Sequence, residues 1–273
     1  MAQLTRQDGM AADAVVAAAR AAAAAGVMIR ELPAVDEQAD AIRLLADIWK
    51  RAPENPPVPP ELLRAMSKAG NYIAGAYDGD LLVGVAIAFH MNPQRHALHS
   101  HIAGIAPAHA GRSAGFALKQ HQRAWALAQG IDTIEWTYDP LVARNAHFNI
   151  AKLGAQAEEY LANFYGEIAD GVNNDDETDR ILVAWHLRSP RAIACAAGAP
   201  ASAQHAPGDV HVAVPADVER LRLVDRAAAQ QWRRTVRDQL TGLLEAGGHI
   251  IGFDRTGPDG TPGYLVRPGR RTP

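Results

Sequence analysis

Residues 97–118 read ALHSHIAGIAPAHAGRSAGFAL, and this stretch decides how the chain is expected to fold. Its first half, 97–105, is a strand-like run, and the positions from 113 to 129 then recur at helical spacing. A strand, a glycine-containing turn and a helix in this order place backbone N–H groups at a helix N-terminus, where they favour a pyrophosphate. The alternative is a plain strand-to-helix turn in which the small residues only pack. Such a turn would have the same sequence pattern.

Further strand-like runs on both sides extend this unit into a sheet. Upstream, 72–77 and 81–89 are joined by Asp78-Gly79-Asp80, which is the turn chemistry of a hairpin. Downstream, Gly130 ends the long helix before a strand at 133–137, and 180–187 forms a last strand. Apolar spacing and breaker residues predict further helices at 11–25, 36–50, 61–68 and 141–152.

Composition divides the chain into four segments. An Ala-rich helix at 1–26 precedes an α/β core at 27–188. The segment 189–209, made largely of Ala, Pro, Ser and Gly, is expected to be a linker. The last segment, 210–273, is expected to add a helix-and-strand extension, with a strand at 210–214, a helix at 217–244 and a strand at 249–253.

The charge balance and the single cysteine limit the classes of molecule that the protein is expected to bind. The 27 basic and 30 acidic residues give a formal charge of −3, so no broad electrostatic reason exists to bind nucleic acid or an anionic membrane. The single cysteine, Cys195, cannot form an internal disulfide, and no run approaches the ~18 apolar residues of a membrane span. We therefore expect a cytoplasmic protein that acts on small molecules.

Histidines cluster before the turn. His99 and His101 lie two apart on the predicted strand and therefore share a face, where an imidazole can deprotonate an amine. Surface or core histidines without a catalytic role are the alternative. Together with His90 and His96 they also resemble a metal cluster, but that reading lacks a motif of fixed spacing, and we expect no metal.

Arg180, at the start of the last predicted strand, has the chemistry to clamp a substrate carboxylate with two hydrogen bonds. Asp179 is expected to hold it in place. A surface ion pair is the alternative reading. Asp139, just before Pro140, is expected to cap a turn or a helix rather than to act as an acid.

The loop AGRSAG at 110–115 resembles the cofactor loop of the GNAT acyltransferase superfamily, in which Gln or Arg is followed by two residues, Gly, one residue, and Gly or Ala. Gly115 matches the last position, whereas Ala110 and Ser113 depart from the usual residues. Ser113 is expected to serve as a helix N-cap instead. Further motifs resemble a GNAT-like family of which some members are linked to N-succinylation of amino acids: WTYDPL at 136–141, NAHFN at 145–149, KLGA at 152–155, NFYG at 163–166 and TDR at 178–180.

This resemblance implies an α/β fold of the GNAT type, a mixed twisted sheet flanked by helices. It also implies an acyl-CoA co-substrate whose pantetheine arm pairs with strand backbone, and transfer of an acetyl or succinyl-type group to the amine of a small molecule such as an amino acid. The residues expected to contact the CoA are Ile105, Ala110, Gly111, Arg112, Ser113, Ala114, Gly115, Phe116, Asn145 and Phe148.

In the superfamily a tyrosine often protonates the departing thiolate, and Ile150 stands at that position here. Tyr138, Tyr160 and Tyr165 are candidate substitutes, and we choose Tyr165 because turn-forming residues surround it. Tyr138 is expected to contact the substrate with Arg180. Two alternatives stay open: a ligand sensor without catalysis, and a His-based metal hydrolase. The number of subunits is also open, a homodimer included.

Overall fold

The computed structural model describes residues 2–52, 54–166 and 176–269, with side chains from Gly9 onward. The chain forms two compact units, one made of Met1–Glu135 with His186–Ser189 and the other of Trp136–Trp185 with Pro190–Pro273. The division falls inside the segment 27–188 that composition had suggested as one core. Residues 270–273 of the predicted extension lie outside the described residues. No helix in the described ranges has the length and apolar character needed to cross a bilayer.

The first unit contains a mixed sheet with helices on both faces. Its strands lie in the order β1-β2-β3-β4-β5, antiparallel from β1 to β4 and parallel between β4 and β5. The strands are β1 Met28–Glu31, β2 Tyr72–Asp78, β3 Leu81–His90, β4 Ala97–Ile105 and β5 Thr133–Tyr138, and the helices are α1 Ala2–Ala25, α2 Val35–Trp49, α3 Pro60–Lys68 and α4 Ala114–Ala128. Residues 136–138 of β5 belong to the second unit.

Strand alternation creates the two cores of this unit. Ile73 points to the face covered by α2 and α3, where Leu45 and Leu63 are fully buried. Ala74, one residue on, points to the opposite face and packs in a cluster with Leu118 of α4. Helix α1 lies against α4 in turn, burying its alanines. The predicted mixed α/β sheet flanked by helices is therefore confirmed.

Strand β4 has two irregularities, and both involve the histidines. Its pairing with β5 covers only Ala97–His99 against Thr133–Glu135. In the described part of the chain, positions 100 and 102–105 pair with β3 alone, so this half of β4 presents a free edge. The register with β3 also shifts, because Ile87 pairs with Ile102 and the next residue pairs with Ser100. His101 is the extra residue of the resulting β-bulge, a feature common next to active sites.

The second unit is built from short elements. Strand β6 pairs with β7 antiparallel, and a separate antiparallel sheet has the order β8-β10-β9. Its elements are α5 Ala143–Ala146, β6 Gln156–Leu161, β7 Arg180–His186, α6 Pro190–Ala196, β8 Val210–Ala213, α7 Val218–Val224, α8 Arg226–Glu245, β9 His249–Asp254 and β10 Gly263–Arg267, with a π-helical segment His147–Lys152 directly after α5. Residue His186 of β7 belongs to the first unit.

Three predictions for this half differ from the structure. The helix predicted at 141–152 is α5 followed by a π-helix. The predicted helix 217–244 breaks at Asp225, whose side chain accepts the Ala228 N–H and so starts a new helix, and Val224, expected inward, is 70% exposed. The predicted linker contains α6, in which Cys195 is buried because small residues let the helix pack closely.

Candidate active site

The turn before α4 leaves a set of backbone donors without partners. Gly111 and Ser113 both have positive φ, +83° and +65°, and α4 begins at the next residue. The first internal bond of the helix runs from the Ala117 N–H to the Ser113 carbonyl at 3.0 Å. Within the described ranges, the N–H groups of 111–116 have no acceptor. Such amides at a helix N-terminus are an anion-binding arrangement.

The loop is open enough for a ligand to reach these amides. Ala110, Gly111, Arg112 and Ser113 are all exposed, and a Cβ added at Gly111 would meet nothing within 4 Å. Ser113 occupies the N-cap position, but its side chain makes no capping bond, which corrects the predicted role. The reason is its left-handed backbone, whereas a side-chain cap needs an extended N-cap residue.

Of the other predicted cofactor residues in this unit, Ala114 is buried and Ile105, Gly115 and Phe116 are partly exposed. A Cβ at Gly115 would lie 3.6 Å from the Ile105 side chain, an ordinary contact. The structure therefore brings the loop, the helix start and the end of β4 together, as the sequence predicted.

One acidic side chain faces this loop. Asp78, in the hairpin turn between β2 and β3, lies 3.4 Å from the Arg112 guanidinium and 3.3 Å from His109 Nε2. These contacts are long and partly exposed, so they hold Arg112 weakly. The Asp78 carboxylate thus competes for Arg112 with any anion that binds at the loop.

The two histidines of β4 form one aromatic group. The rings of His99 and His101 are 6.2 Å apart, and both lie against Phe89, at 4.9 and 5.8 Å. Burial, together with the smaller effects of the charges of His101 and Lys119, lowers the pKa of His99 to about 4. Burial also lowers the pKa of His101, which remains exposed. Both imidazoles are therefore neutral near pH 7 and able to accept a proton.

Lys119 of α4 lies behind β4 and was not singled out from the sequence. Its Nζ donates to Ser100 Oγ at 2.8 Å and to Gln122 Oε1 at 3.0 Å. Burial lowers its pKa to about 7. The amino group therefore adds a positive or titrating charge beneath the strand that carries the histidines.

In the second unit, Tyr165 and Arg180 lie together. The Arg180 guanidinium is 5.3 Å from the centre of the Tyr165 ring, and the Tyr165 hydroxyl is 3.1 Å from Thr137 Oγ1. The Tyr165 N–H donates to Thr178 Oγ1 at 3.0 Å, which fixes the backbone. Arg180 donates to the main-chain carbonyl of Asp179, and in the described ranges it has no carboxylate partner. An arginine without a carboxylate is suited to an anionic substrate.

Other predicted residues of this unit have different surroundings. Tyr138 is 5% exposed and burial raises its pKa, so its side chain belongs to the core and not to a substrate surface. Tyr160 donates its hydroxyl to Asp179 Oδ2 at 2.5 Å. Asn145 and Phe148, predicted to contact CoA, lie on α5 and the π-helix, both partly exposed. Tyr165 is the most accessible of the candidate acids.

The sequence suggested that the Asp179 side chain holds Arg180. Instead the Asp179 main-chain carbonyl accepts the Arg180 bond, and the carboxylate has other partners. This carboxylate is fully buried and accepts bonds from Arg237 at 2.6 and 2.9 Å and from the Asn163 N–H at 2.9 Å. The partner comes from α8, a long-range contact that the adjacent sequence could not indicate. Asp179 therefore fixes the loop that carries Tyr165 instead.

A buried charge cluster also escaped the sequence reasoning. Asp139 and Asp176 share Arg222 and Arg233, with N–O distances between 2.6 and 3.1 Å. Asp139 also accepts the Leu141 N–H, as predicted for a turn cap. The four side chains come from α7, α8 and the segments around β5 and β7. They tie the C-terminal helices to the part of the unit that carries Tyr165.

The alternative of a metal site requires a cluster of ligands. In the described residues, no group of three or more His, Cys, Asp or Glu side chains is placed to hold an ion. His90 packs instead against Trp125, with ring centres 6.1 Å apart. His96 lies in a turn with a φ of 46°.

Comparison with known proteins agrees with this geometry. Residues 38–154 match the model of the acetyltransferase (GNAT) family. A solved N-acetyltransferase from Staphylococcus aureus Mu50 is similar in fold, with 14% identity and a TM-score of 0.50, and the match covers 59% of this chain and 99% of that chain. The ribosomal-protein-S18-alanine N-acetyltransferase from Escherichia coli gives 15% identity and a TM-score of 0.47, covering 60% and 95%.

A third similar structure, a GNAT family acetyltransferase from Elizabethkingia anophelis with acetyl-CoA bound, gives 15% identity and a TM-score of 0.44, covering 59% of this chain and 98% of that chain. No curated protein matches the chain. The family match covers residues 38–154, and the likeness to the Staphylococcus aureus Mu50 N-acetyltransferase is one of fold. The matched residues include the amides of 111–116, β4 and α5.

Proposed function

We propose that this chain transfers an acyl group from an acyl-CoA thioester to the amine of a small molecule, and that one of the two substrates carries a carboxylate recognised by Arg180. The observation that carries the proposal is the set of unpartnered N–H groups at 111–116 beside the free edge of β4. The amides supply donors for a diphosphate, and the strand edge supplies donors and acceptors for a pantetheine arm.

The chemistry follows from direct attack. The amine nitrogen bonds to the thioester carbonyl carbon, the carbon–sulfur bond breaks, and the sulfur leaves as a thiolate. The proton lost by the amine goes to His101, and the sulfur takes up a proton as it leaves. Tyr165 is the candidate for that acid on sequence grounds. His101 is preferred to His99 as the base, because a pKa of about 4 matches a neutral working pH poorly.

Arg180 points to the substrate class. A guanidinium that has no carboxylate partner in the described ranges and lies against an aromatic ring is suited to a carboxylate, which it binds through two parallel hydrogen bonds. A succinyl donor or an amino-acid acceptor brings that group. In N-succinylation of an amino acid, which the sequence resemblance implies, both the donor and the acceptor carry a carboxylate.

Calorimetric titration with acetyl-CoA and succinyl-CoA tests the proposal, together with thiol release over a panel of amino acids. We expect saturable heat with the thioesters and thiol release that requires an amine. Binding without turnover against any acceptor would favour the sensor alternative. No binding of either thioester would remove the enzyme proposal.

Replacing Asp78 with asparagine is expected to tighten acetyl-CoA binding by about twofold to fivefold, the range of exposed charge pairs. The change removes a negative charge near the diphosphate and releases Arg112 from its present partner. Calorimetry at low salt measures the change, which added salt should reduce.

Two controls accompany this experiment. Acetyl-pantetheine lacks the diphosphate, so its affinity should not respond to Asp78→Asn. Asp80→Asn alters a neighbouring exposed carboxylate of the same turn and should have a smaller effect. Equal tightening of acetyl-CoA and acetyl-pantetheine would contradict the placement of the diphosphate.

Replacing His101 with glutamine is expected to lower kcat by about a hundredfold, the usual contribution of a positioned base. His99→Gln is the matched control, and its loss should stay below about tenfold because its pKa is poorly matched to the reaction. In the wild type, kcat/KM should rise with pH through the pKa of His101, below its ordinary 6.5, and stay level above it. A His101→Gln enzyme that retains this rising limb would show that another group is the base.

A further inference from the structure

The second unit contains a pocket, which we call the C-terminal pocket, formed by three segments. One wall is the start of the π-helix with His147 and Ala151, the second is the segment 200–205, and the third is 253–255 with Leu265. Its volume of about 370 Å³ is in the range of small-molecule sites. None of these residues belongs to the proposed catalytic groups.

The walls are held by specific contacts. The Ala201 N–H donates to the Ala151 carbonyl at 2.8 Å, which attaches the 200–205 segment to the π-helix. A Cβ at Gly252 would lie only 2.5 Å from the Ala203 Cβ, so glycine is needed for this segment to lie on β9. The pocket is therefore a built feature, and its π-helical wall is of a kind often found at functional sites.

Charge and polarity indicate the ligand. His147 Nδ1 is buried and has no hydrogen-bond partner in the described part of the chain. Burial lowers the pKa of His147, and the charges of Arg255 and Lys152 lower it further, which means that both cations act on the same imidazole. Asp254 supplies one negative charge, and its Oδ1 accepts the Thr256 N–H at 3.0 Å. Asp254 and Arg255 offset each other in the lining, and Lys152, which lies outside the lining, leaves one positive charge acting on His147. This charge favours an anion.

The rest of the lining is mostly apolar, with Ser202 and His205 as its other polar residues. Phe253 and Leu265 are both buried from solvent, at 8% and 2% exposure, and both residues line the pocket with Ala151. A ligand that fits must therefore combine an anionic end with an apolar body. We propose that the C-terminal pocket binds a small carboxylate with an apolar body, at a site separate from the acyl-transfer groups. His147 and Arg255 contact the carboxylate.

Titration with benzoate, followed by NMR of the histidine side chains in the full chain, tests this proposal. We expect saturable shifts at His147 and a rise in its pKa on binding, because a carboxylate stabilises the imidazolium. Arg255→Gln should weaken benzoate binding by at least about tenfold, since hydrogen bonds to charged groups contribute about 1.5–3 kcal/mol. Arg234→Gln, which changes an exposed arginine bonded to Gln231, is the control variant and should leave binding unchanged.

Benzyl alcohol is the matched neutral ligand and should bind at least about tenfold more weakly than benzoate. The proposal is overturned if benzoate causes no saturable shift at His147, if Arg255→Gln binds as well as the wild type, or if benzyl alcohol binds equally well. The readout does not depend on acyl transfer, so loss of the proposed enzyme function leaves this test intact.

Discussion

Replacing Arg233 with methionine is expected to lower the free energy of unfolding by about 3–5 kcal/mol, the cost of breaking a buried ion pair. Arg233 is 1% exposed and bonds Asp139 at 2.8 Å and Asp176 at 2.8 Å. Its loss leaves two buried carboxylates with Arg222 as their remaining arginine. Urea unfolding followed by tryptophan fluorescence measures the change, and Arg234→Met, at an exposed neighbouring position, should shift stability by less than about 0.5 kcal/mol.

The same cluster predicts how stability depends on pH. Burial alone raises the pKa of Asp139, but Arg233 and Arg222 more than offset this and hold the pKa well below its ordinary 3.8. A depressed pKa in the folded state contributes stability above the unfolded value, and that contribution is lost as the pH falls toward the folded value. The wild type should therefore lose more stability than Arg233→Met between pH 6 and pH 3. Equal losses would contradict this assignment.

Replacing Arg180 with glutamine is expected to reduce kcat/KM roughly 30-fold to 4000-fold, which corresponds to a loss of about 2–5 kcal/mol in transition-state binding. The physical reason is that a substrate carboxylate loses a charged partner that forms two hydrogen bonds. Steady-state kinetics with succinyl-CoA and acetyl-CoA, each with an amino acid and with its decarboxylated amine, identifies which carboxylate is bound. Arg180→Lys keeps the positive charge but cannot form the two parallel hydrogen bonds. Its kcat/KM should lie between those of the wild type and Arg180→Gln.

The loss of kcat/KM in Arg180→Gln should disappear when the substrate that normally carries the recognised carboxylate is replaced by its counterpart without one. If the loss depends on the donor, Arg180 reads a succinyl group, and if it depends on the acceptor, Arg180 reads an amino acid. A similar loss with all four substrate pairs would contradict carboxylate recognition. It would indicate that Arg180 supports Tyr165 through its ring contact.

Much of the first unit was predictable because its signals are local. The strand-like run at 97–105 predicted β4 with its observed bounds, and the apolar spacing from 113 to 129 predicted α4 to within a residue at each end. The Asp78-Gly79-Asp80 turn marked the β2–β3 hairpin for the same reason. These features depend on residues close together in the sequence.

The features that the sequence did not reveal depend on distant partners. Arg222 and Arg233 resemble exposed helix residues until Asp139 and Asp176, far away in sequence, are placed against them. The bulge at His101 exists only through the register with β3, so no local pattern marks it. Nor does the sequence around Asp225 predict a helix break unless its capping bond is known.

A crystal structure with coenzyme A bound tests the central claim most directly. The account predicts diphosphate oxygens within hydrogen-bond distance of the N–H groups at 111–116, with Arg112 moved from Asp78 toward the phosphates. It also predicts a pantetheine arm along the free edge of β4. A structure in which coenzyme A binds elsewhere, and these amides face only water or protein, would contradict it.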